Sequence, residues 1–124
     1  MATRTPADDL NLRASRIRLA CLDVDGTLTD SRLIYDSNGG ELKAFHVHDG
    51  QGLRLLEDAG IAVALITARE SAIVRARGQE LRLKHVYTAV GDKLKQLEAF
   101  RIAAGLDHSE IAYIGDDFPD LSCL

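Results

Sequence analysis

Short apolar runs alternate along the chain with longer segments whose apolar residues recur at helical spacing. The apolar runs cover residues 17–23, 61–67, 85–90 and 111–114, and the helical segments cover residues 52–59, 71–81 and 92–104. Strands and helices in this order form right-handed βαβ units, because each crossover helix packs back onto the sheet that it leaves. The pattern therefore predicts an α/β fold, with a parallel sheet that carries helices on both faces.

Length and composition are typical of one soluble domain. The 124 residues include 46% hydrophobic and 27% charged side chains, which suffices for a single hydrophobic core. Residues 1–16 are predicted to form a loose N-terminal arm with a short helical turn at residues 10–15. Residues 17–124 are predicted to form a Rossmann-like domain.

A β-hairpin flap is predicted after the first strand, at about residues 31–48. Strand-like residues 33–35 and 41–47 flank the turn at residues 36–40, where Asn38-Gly39 supplies the positive φ of a tight turn. The hairpin is too apolar for two lone strands in water, since it carries Leu42, Ala44, Phe45 and Val47. We therefore expect a partner to cover it.

Charge, cysteine content and hydropathy exclude several classes of protein. The net charge of −4 argues against nucleic acid as a partner. Cys21 lies in an apolar run, where we expect a small buried hydrophobe and a reducing compartment. The chain has no apolar leader and no run of the ~18 to 20 apolar residues that a membrane span needs. We therefore expect a cytoplasmic protein with no membrane partner.

Acidic and hydroxyl side chains follow the ends of the predicted strands. Asp23 and Asp25 follow the first strand, Thr67 ends the second, and the acidic segment 115–120 follows the fourth. The carboxyl ends of parallel strands meet in one crevice, and crowded carboxylates repel unless a cation lies between them. Oxygen ligands without Cys or His favour Mg²⁺.

The spacing of these side chains indicates a division of roles. Asp23 and Asp25 are two residues apart, so that one carboxylate can attack while the other handles a proton. Thr27, with the free amides of the turn, can hold phosphate oxygens. Thr67 can add a hydroxyl donor and Lys93 a positive charge. These groups are therefore suited to hold a phosphate group in the crevice.

Four motifs resemble those of the haloacid dehalogenase superfamily of phosphatases. They are DVDGTLTD at residues 23–30, Thr67 in LITAR, Lys93 in GDK, and GDDFPD at residues 115–120. All four occur in the family's order, and the resemblance spans residues 17–120. It implies that Asp23 forms an aspartyl phosphate, while Asp25 protonates the leaving alcohol and later activates water.

The resemblance is closest to the capless subgroup, the 3-deoxy-D-manno-octulosonate 8-phosphate phosphatases of lipopolysaccharide precursor synthesis. The hairpin in place of a large cap, FHVHDGQG at residues 45–52, and Arg69 just after Thr67 carry this likeness. It implies Mg²⁺ held by the Asp23 carboxylate, the Asp25 carbonyl and Asp116. Asp117 is then expected next to these ligands without contacting the ion.

The same resemblance implies a set of substrate contacts and a homotetramer that assembles through the hairpin. The substrate, a sugar phosphate, is expected to contact Asp25, His46, Val47, His48, Asp49, Gly50, Arg54, Arg69, Arg77 and Lys93. The two later arginines suit a bidentate clamp on a sugar-acid carboxylate.

The chain departs from the family pattern at three places. His48 and Ala68 stand where relatives commonly carry Arg and Gly, which alters the expected pocket but not the metal site. The sequence stops four residues after Asp120, where the family continues through a helix, a strand and a glycine-rich tail. We therefore expect a C-terminally truncated form with weak or no activity.

Two non-enzymatic alternatives stay open at this point. One is a receiver-type Mg²⁺-binding signalling domain, although a receiver has no hairpin after its first strand. The other is a non-catalytic, phosphatase-like oligomerisation module, against which the intact Asp23, Asp25, Lys93 and Asp116 argue. An EF-hand needs Gly and Glu where Leu28 and Ile34 stand, and no GxGxxG follows the first strand to bind a dinucleotide.

Overall fold

Four parallel strands form the central sheet, as the alternating pattern predicted. The computed structural model describes residues 3–124, the side chain of Phe118 excepted. The sheet strands are β1 (Leu19–Leu22), β4 (Ala62–Ile66), β5 (His85–Tyr87) and β6 (Ile111–Ile114), in the order β5-β4-β1-β6. Leu19 of β1 lies between Ala62 and Ile111. The first strand is therefore central, and its carboxyl end lies between those of β4 and β6.

Helices cover both faces of this sheet. The helices of the described chain are α1 (Pro6–Ser15), whose residues are not buried, α2 (Val47–Asp58), α3 (Ala72–Glu80) and α4 (Lys93–Ala104), with short 3-10 helices at His108–Glu110 and Phe118–Cys123. Leu22 packs with the α2 and α3 side chains on one face. Cys21 packs with Leu97 of α4 on the other. Burial raises the pKa of Cys21 to about 12, and its thiol is the buried hydrophobe that the sequence predicted.

Helix α2 begins earlier than the apolar spacing predicted. The ring of His46 accepts a hydrogen bond from the backbone of His48 and caps the helix, which then starts at Val47. A cap of this kind satisfies an amide that lacks an intrahelical partner. The predicted strand over residues 41–47 is therefore wrong beyond Leu42, where the strand ends.

The hairpin consists of two short antiparallel strands, β2 (Ile34–Tyr35) and β3 (Glu41–Leu42), that pair with each other in a separate two-stranded sheet. Its turn is closed by Asp36, whose carboxylate accepts from the amides of Asn38 and Gly40. Side chains alternate after the turn: Leu42 and Ala44 are exposed, while the side chain of Glu41 is half-buried and that of Lys43 is buried.

The N-terminal segment is more regular than predicted. Helix α1 begins at Pro6, because Thr5 and Asp8 form a reciprocal capping box. The predicted loose arm with a short turn is therefore mostly helix, and its first two residues lie outside the described part of the chain. Among the described residues, no helix is long and apolar enough to cross a bilayer.

Candidate active site

The loop after β1 folds tightly over the carboxyl end of the sheet. The amide of Asp23 donates to the carbonyl of Ile114, which joins the ends of β1 and β6. The carbonyl of Val24 accepts from the amides of Thr27 and Leu28, and Gly26 has a φ of +86°. The loop therefore reverses within a few residues and holds Asp23 buried at the sheet edge.

Lys93 is the centre of a buried ion-pair network. It is the first residue of α4, and its Nζ lies 2.7 Å from Asp23 Oδ1 and 2.7 Å from Asp120 Oδ1. The hydroxyl of Tyr113 also donates to Asp120 Oδ1, and the amide of Asp117 donates to Asp120 Oδ2. Both oxygens of Asp120 are therefore engaged, and this carboxylate holds Lys93 in place.

Three carboxylates form a candidate metal centre. Oxygens of Asp23, Asp116 and Asp120 lie within 4.8 Å of one another, and only Asp116 is exposed. Lys93 balances one of these negative charges, so the group still favours a divalent cation. An all-oxygen donor set with one side open to water fits Mg²⁺. Asp120 joins this group beside the predicted Asp23 and Asp116, whereas the Asp25 carboxylate does not.

The ionisation of this group reflects its burial. Burial raises the pKa of Asp23 to about 6; the hydrogen bond from Lys93 opposes the shift and the contact with Asp116 adds to it. Burial alone would lower the pKa of Lys93, but its hydrogen bonds to Asp120 and Asp23 raise that pKa above the usual value. Lys93 is therefore an ammonium, and a cation beside Asp23 would favour its carboxylate form.

Two glycines allow the acidic side chains to approach the backbone. A Cβ on Gly26 would lie 1.8 Å from Asp116 Oδ2, and a Cβ on Gly115 would lie 2.3 Å from Asp120 Cγ. Real Cβ atoms essentially never lie within 3.0 Å of such an atom, so a side chain at either position would displace the carboxylate or the loop. Glycine at these two positions is therefore required for the close packing of the carboxylates on the loops.

Asp25 is held by a lysine that the sequence analysis missed. Lys43 Nζ lies 2.6 Å from Asp25 Oδ1 and 3.0 Å from Glu41 Oε1. Arg69 donates to Glu41 Oε2 at 3.4 Å. The available signal was the alternation after the hairpin turn, where polar Glu41 and Lys43 interleave with apolar Leu42.

Thr67 lies at the carboxyl end of β4, as predicted, and is buried. Its Oγ1 accepts from the amide of Arg69 at 3.4 Å. Its backbone carbonyl accepts from Val90, and its amide donates to Tyr87. The hydroxyl is therefore fixed at the strand end, where a phosphate donor is expected.

Residues 46–50 form the first turn of α2 and the approach to it. His46 and Asp49 line a cleft of about 330 Å³ together with the loop after β1, including Thr27 and Thr29. Val47, His48 and Asp49 are exposed, and Gly50 is buried. The cleft places this predicted substrate segment opposite the turn that is predicted to hold phosphate.

Arg77 is engaged with the start of α2. Its Nη2 donates to the carbonyl of His46 at 3.3 Å, and its guanidinium lies 5.3 Å from the ring centroid of Phe45. A Cβ on Gly50 would lie 2.5 Å from that Nη2. Arg77 therefore braces the segment, while Arg69 contacts the hairpin, so the two arginines have separate partners.

The last two predicted site residues, Arg54 and Asp117, have different contacts. Arg54 donates to the carbonyl of Leu81, after α3, and to Asp58 on its own helix. Asp117 is exposed and adjoins the group of carboxylates through its amide, which donates to Asp120.

Curated proteins similar to this chain include several phosphatases. A 3-deoxy-D-manno-octulosonate 8-phosphate phosphatase from Yersinia pestis is 40% identical over 114 residues, which cover 92% of this chain and 61% of the relative. No protein-family model matches the chain. By the coverage of these alignments, the chain spans about three fifths of the length of the curated relatives that it matches.

Solved structures share the fold closely. A 3-deoxy-D-manno-octulosonate 8-phosphate phosphatase from Moraxella catarrhalis, in complex with magnesium, phosphate and the sugar acid, gives a TM-score of 0.90 at 44% identity. The match covers 94% of this chain and 67% of that one. A hypothetical protein from Xanthomonas campestris gives 0.89 at 52% identity and covers 98% and 68% of the two chains.

Proposed function

Since the chain belongs to the 3-deoxy-D-manno-octulosonate 8-phosphate phosphatase family of the haloacid dehalogenase superfamily, we propose that it hydrolyses a phosphomonoester through an aspartyl phosphate. The observation that carries this proposal is the buried contact of Asp23 with Lys93 beside the open carboxylate of Asp116. It combines a nucleophile, a fixed positive charge and a metal site at one sheet edge. The signalling and non-catalytic alternatives are not favoured by these relatives.

The proposed reaction uses groups already in the crevice. An Asp23 oxygen attacks phosphorus, the bond from phosphorus to the ester oxygen breaks, and a proton on Asp25 passes to that oxygen to release the alcohol. Water then attacks the aspartyl phosphate and gives a proton to Asp25, which frees phosphate and restores Asp23. Lys93 and Thr67 stabilise charge on the phosphate oxygens.

We assign Mg²⁺ as the metal, held by the carboxylates of Asp23 and Asp116 and the carbonyl of Asp25. Asp117 is assigned next to these ligands, without contact with the ion. The oxygen donors and their net negative charge fit this ion. A bound Mg²⁺ supplies positive charge for the phosphate oxygens in the transition state. The magnesium in the Moraxella catarrhalis relative supports the assignment.

We propose 3-deoxy-D-manno-octulosonate 8-phosphate, a precursor of lipopolysaccharide, as the substrate. The names of the relatives support it. Of the two arginines predicted to bind the sugar-acid carboxylate, Arg69 is the better placed: 41% of its side chain is exposed, against 14% for Arg77. Residues 46–50 are proposed to contact the sugar across the cleft.

We further propose a homotetramer that assembles through the hairpin. The side chains of Ile34, Tyr35 and Leu42 on its strands and of Leu33 just before β2 are all exposed. Apolar groups clustered on a projecting hairpin favour burial against another subunit.

The activity is tested with the purified chain and Mg²⁺, by comparing kcat/KM for 3-deoxy-D-manno-octulosonate 8-phosphate and glucose 6-phosphate. We expect the acidic sugar to be preferred, and Asp23→Asn to lower kcat by roughly a thousandfold or more because the nucleophile is lost. Asp9→Asn, on the exposed face of α1, is the control. Equal kcat/KM values would reject the substrate, and a tenth of the activity left in Asp23→Asn would reject the nucleophile.

A further inference from the structure

Lys43 is a buried charged side chain without an assigned role. Only 2% of its side chain is exposed, and burial of an ammonium group is unfavourable unless it is paired. Its partners are Asp25 Oδ1 at 2.6 Å and Glu41 Oε1 at 3.0 Å. Lys43 thus links the hairpin to the loop after β1, across 18 positions of sequence.

Glu41 extends the link to a third element. Arg69 lies just beyond the end of β4, and its Nη2 donates a hydrogen bond to Glu41 Oε2 at 3.4 Å. The chain of contacts therefore runs from Arg69 through Glu41 and Lys43 to Asp25. A carboxylate held in such a network loses much of its rotational freedom, which favours one productive geometry.

We propose that Lys43 is a positioning residue that orients the Asp25 carboxylate for proton transfer to the leaving group; this inference rests on the proposed function. Lys43 holds Oδ1, so Oδ2 is the oxygen that exchanges the proton. Glu41 acts one step further out, because it holds Lys43.

The role has a chemical signature that a purely structural role lacks. In the first step, the bond from Asp23 to phosphorus forms, the ester bond breaks, and the proton of Asp25 passes to the departing oxygen. An alkoxide needs that proton, whereas p-nitrophenolate departs without it. Misplacing Asp25 therefore lowers kcat/KM for an alkyl phosphate far more than for p-nitrophenyl phosphate, since kcat/KM covers the steps through the first chemical event.

The kinetic test uses Lys43→Met, the conservative Lys43→Arg, and Lys84→Met as an exposed control. For 3-deoxy-D-manno-octulosonate 8-phosphate we expect Lys43→Met to lower kcat/KM by roughly a hundredfold, in the range of general acid catalysis. For p-nitrophenyl phosphate we expect a loss below about fivefold, with partial rescue in Lys43→Arg. Equal losses for the two substrates would overturn the positioning role.

A second measurement does not depend on turnover. In ¹⁵N-labelled protein, a buried and hydrogen-bonded lysine ammonium exchanges its protons slowly enough to give a side-chain NMR cross-peak. We expect such a signal from Lys43, assigned through its absence in Lys43→Met, and its loss in Asp25→Asn while the Lys93 signal stays. Absence of a Lys43 signal in the unmodified chain would overturn the contact. If the unmodified chain hydrolyses neither ester, the proposed function fails, whatever the NMR result.

Discussion

Gly26 determines how closely the loop after β1 packs on the carboxylate of Asp116. Alanine at this position would meet both a φ of +86° and Asp116 Oδ2 at 1.8 Å, whereas Gly60 has the same φ with no atom within 4 Å. We expect either Gly→Ala change to destabilise the fold by about 1 to 2 kcal/mol. Only Gly26→Ala should also weaken Mg²⁺ binding, by roughly tenfold or more, which is about 1.4 kcal/mol.

Calorimetric titration of Mg²⁺ and thermal unfolding of the two variants separate these effects. The shared φ makes Gly60→Ala a control for backbone strain alone. Equal Mg²⁺ affinities in the two variants would contradict the close approach of Gly26 to Asp116.

At the scale of single residues, the sequence predicted the closeness of side chains that follow the strand ends, and it missed contacts that tertiary packing creates. The closeness of Asp23 and Asp116 follows from β1 and β6 ending at the same sheet edge. The contact of Lys43 with Asp25 has no such local cause, because it depends on the path of the hairpin. Arg54 donates to the carbonyl of Leu81, a contact that the spacing did not indicate, and its contact with the substrate stays a prediction.

At the scale of elements, the hairpin presents two different faces. Glu41 and Lys43 contact groups of the crevice, while Ile34 and Leu42 form a cross-strand pair that is exposed. If this apolar face forms the subunit contact, a charge placed on it should prevent assembly, because an unpaired ammonium is costly to bury.

We expect Ile34→Lys to reduce the assembled species to monomer in sedimentation or light scattering. Ile102→Lys is the matched control, since Ile102 is also exposed but lies on α4. A monomeric unmodified chain, or an assembly that survives Ile34→Lys, would contradict the proposed interface.

Element boundaries differed from prediction where side-chain caps decide them. Apolar spacing placed the start of α2 at Gly52, but the helix begins five residues earlier at Val47, because His46 caps it. Histidine is not among the residues most favoured for capping, so spacing and composition gave no signal. Commonly favoured capping residues precede two other helices, Ser71 before α3 and Asp92 before α4. There the predicted and observed helix starts differ by one residue.

At the scale of the whole molecule, the fold brings like charges together at one edge of the sheet. Asp23, Asp116 and Asp120 approach within 4.8 Å, with Lys93 as the cation among them. Such crowding lowers the free energy of unfolding when no metal is bound, since the carboxylates repel. A metal that binds only the folded chain reverses the effect by mass action.

Asp116→Asn should therefore change stability in opposite directions with and without Mg²⁺. In a chelator we expect the variant to unfold at a higher temperature than the unmodified chain, because one of the repelling charges is removed. With Mg²⁺ at about 100 times its Kd, the unmodified chain should gain about 2.7 kcal/mol, and the variant should gain little.

Asp9→Asn, far from the carboxylates in sequence and exposed on α1, should retain the full Mg²⁺ response. Thermal unfolding of the three proteins in chelator and in Mg²⁺ measures both effects. An equal Mg²⁺-dependent stabilisation of Asp116→Asn would show that this carboxylate is no ligand, and a lower stability of the variant in chelator would show that repulsion does not dominate at this edge.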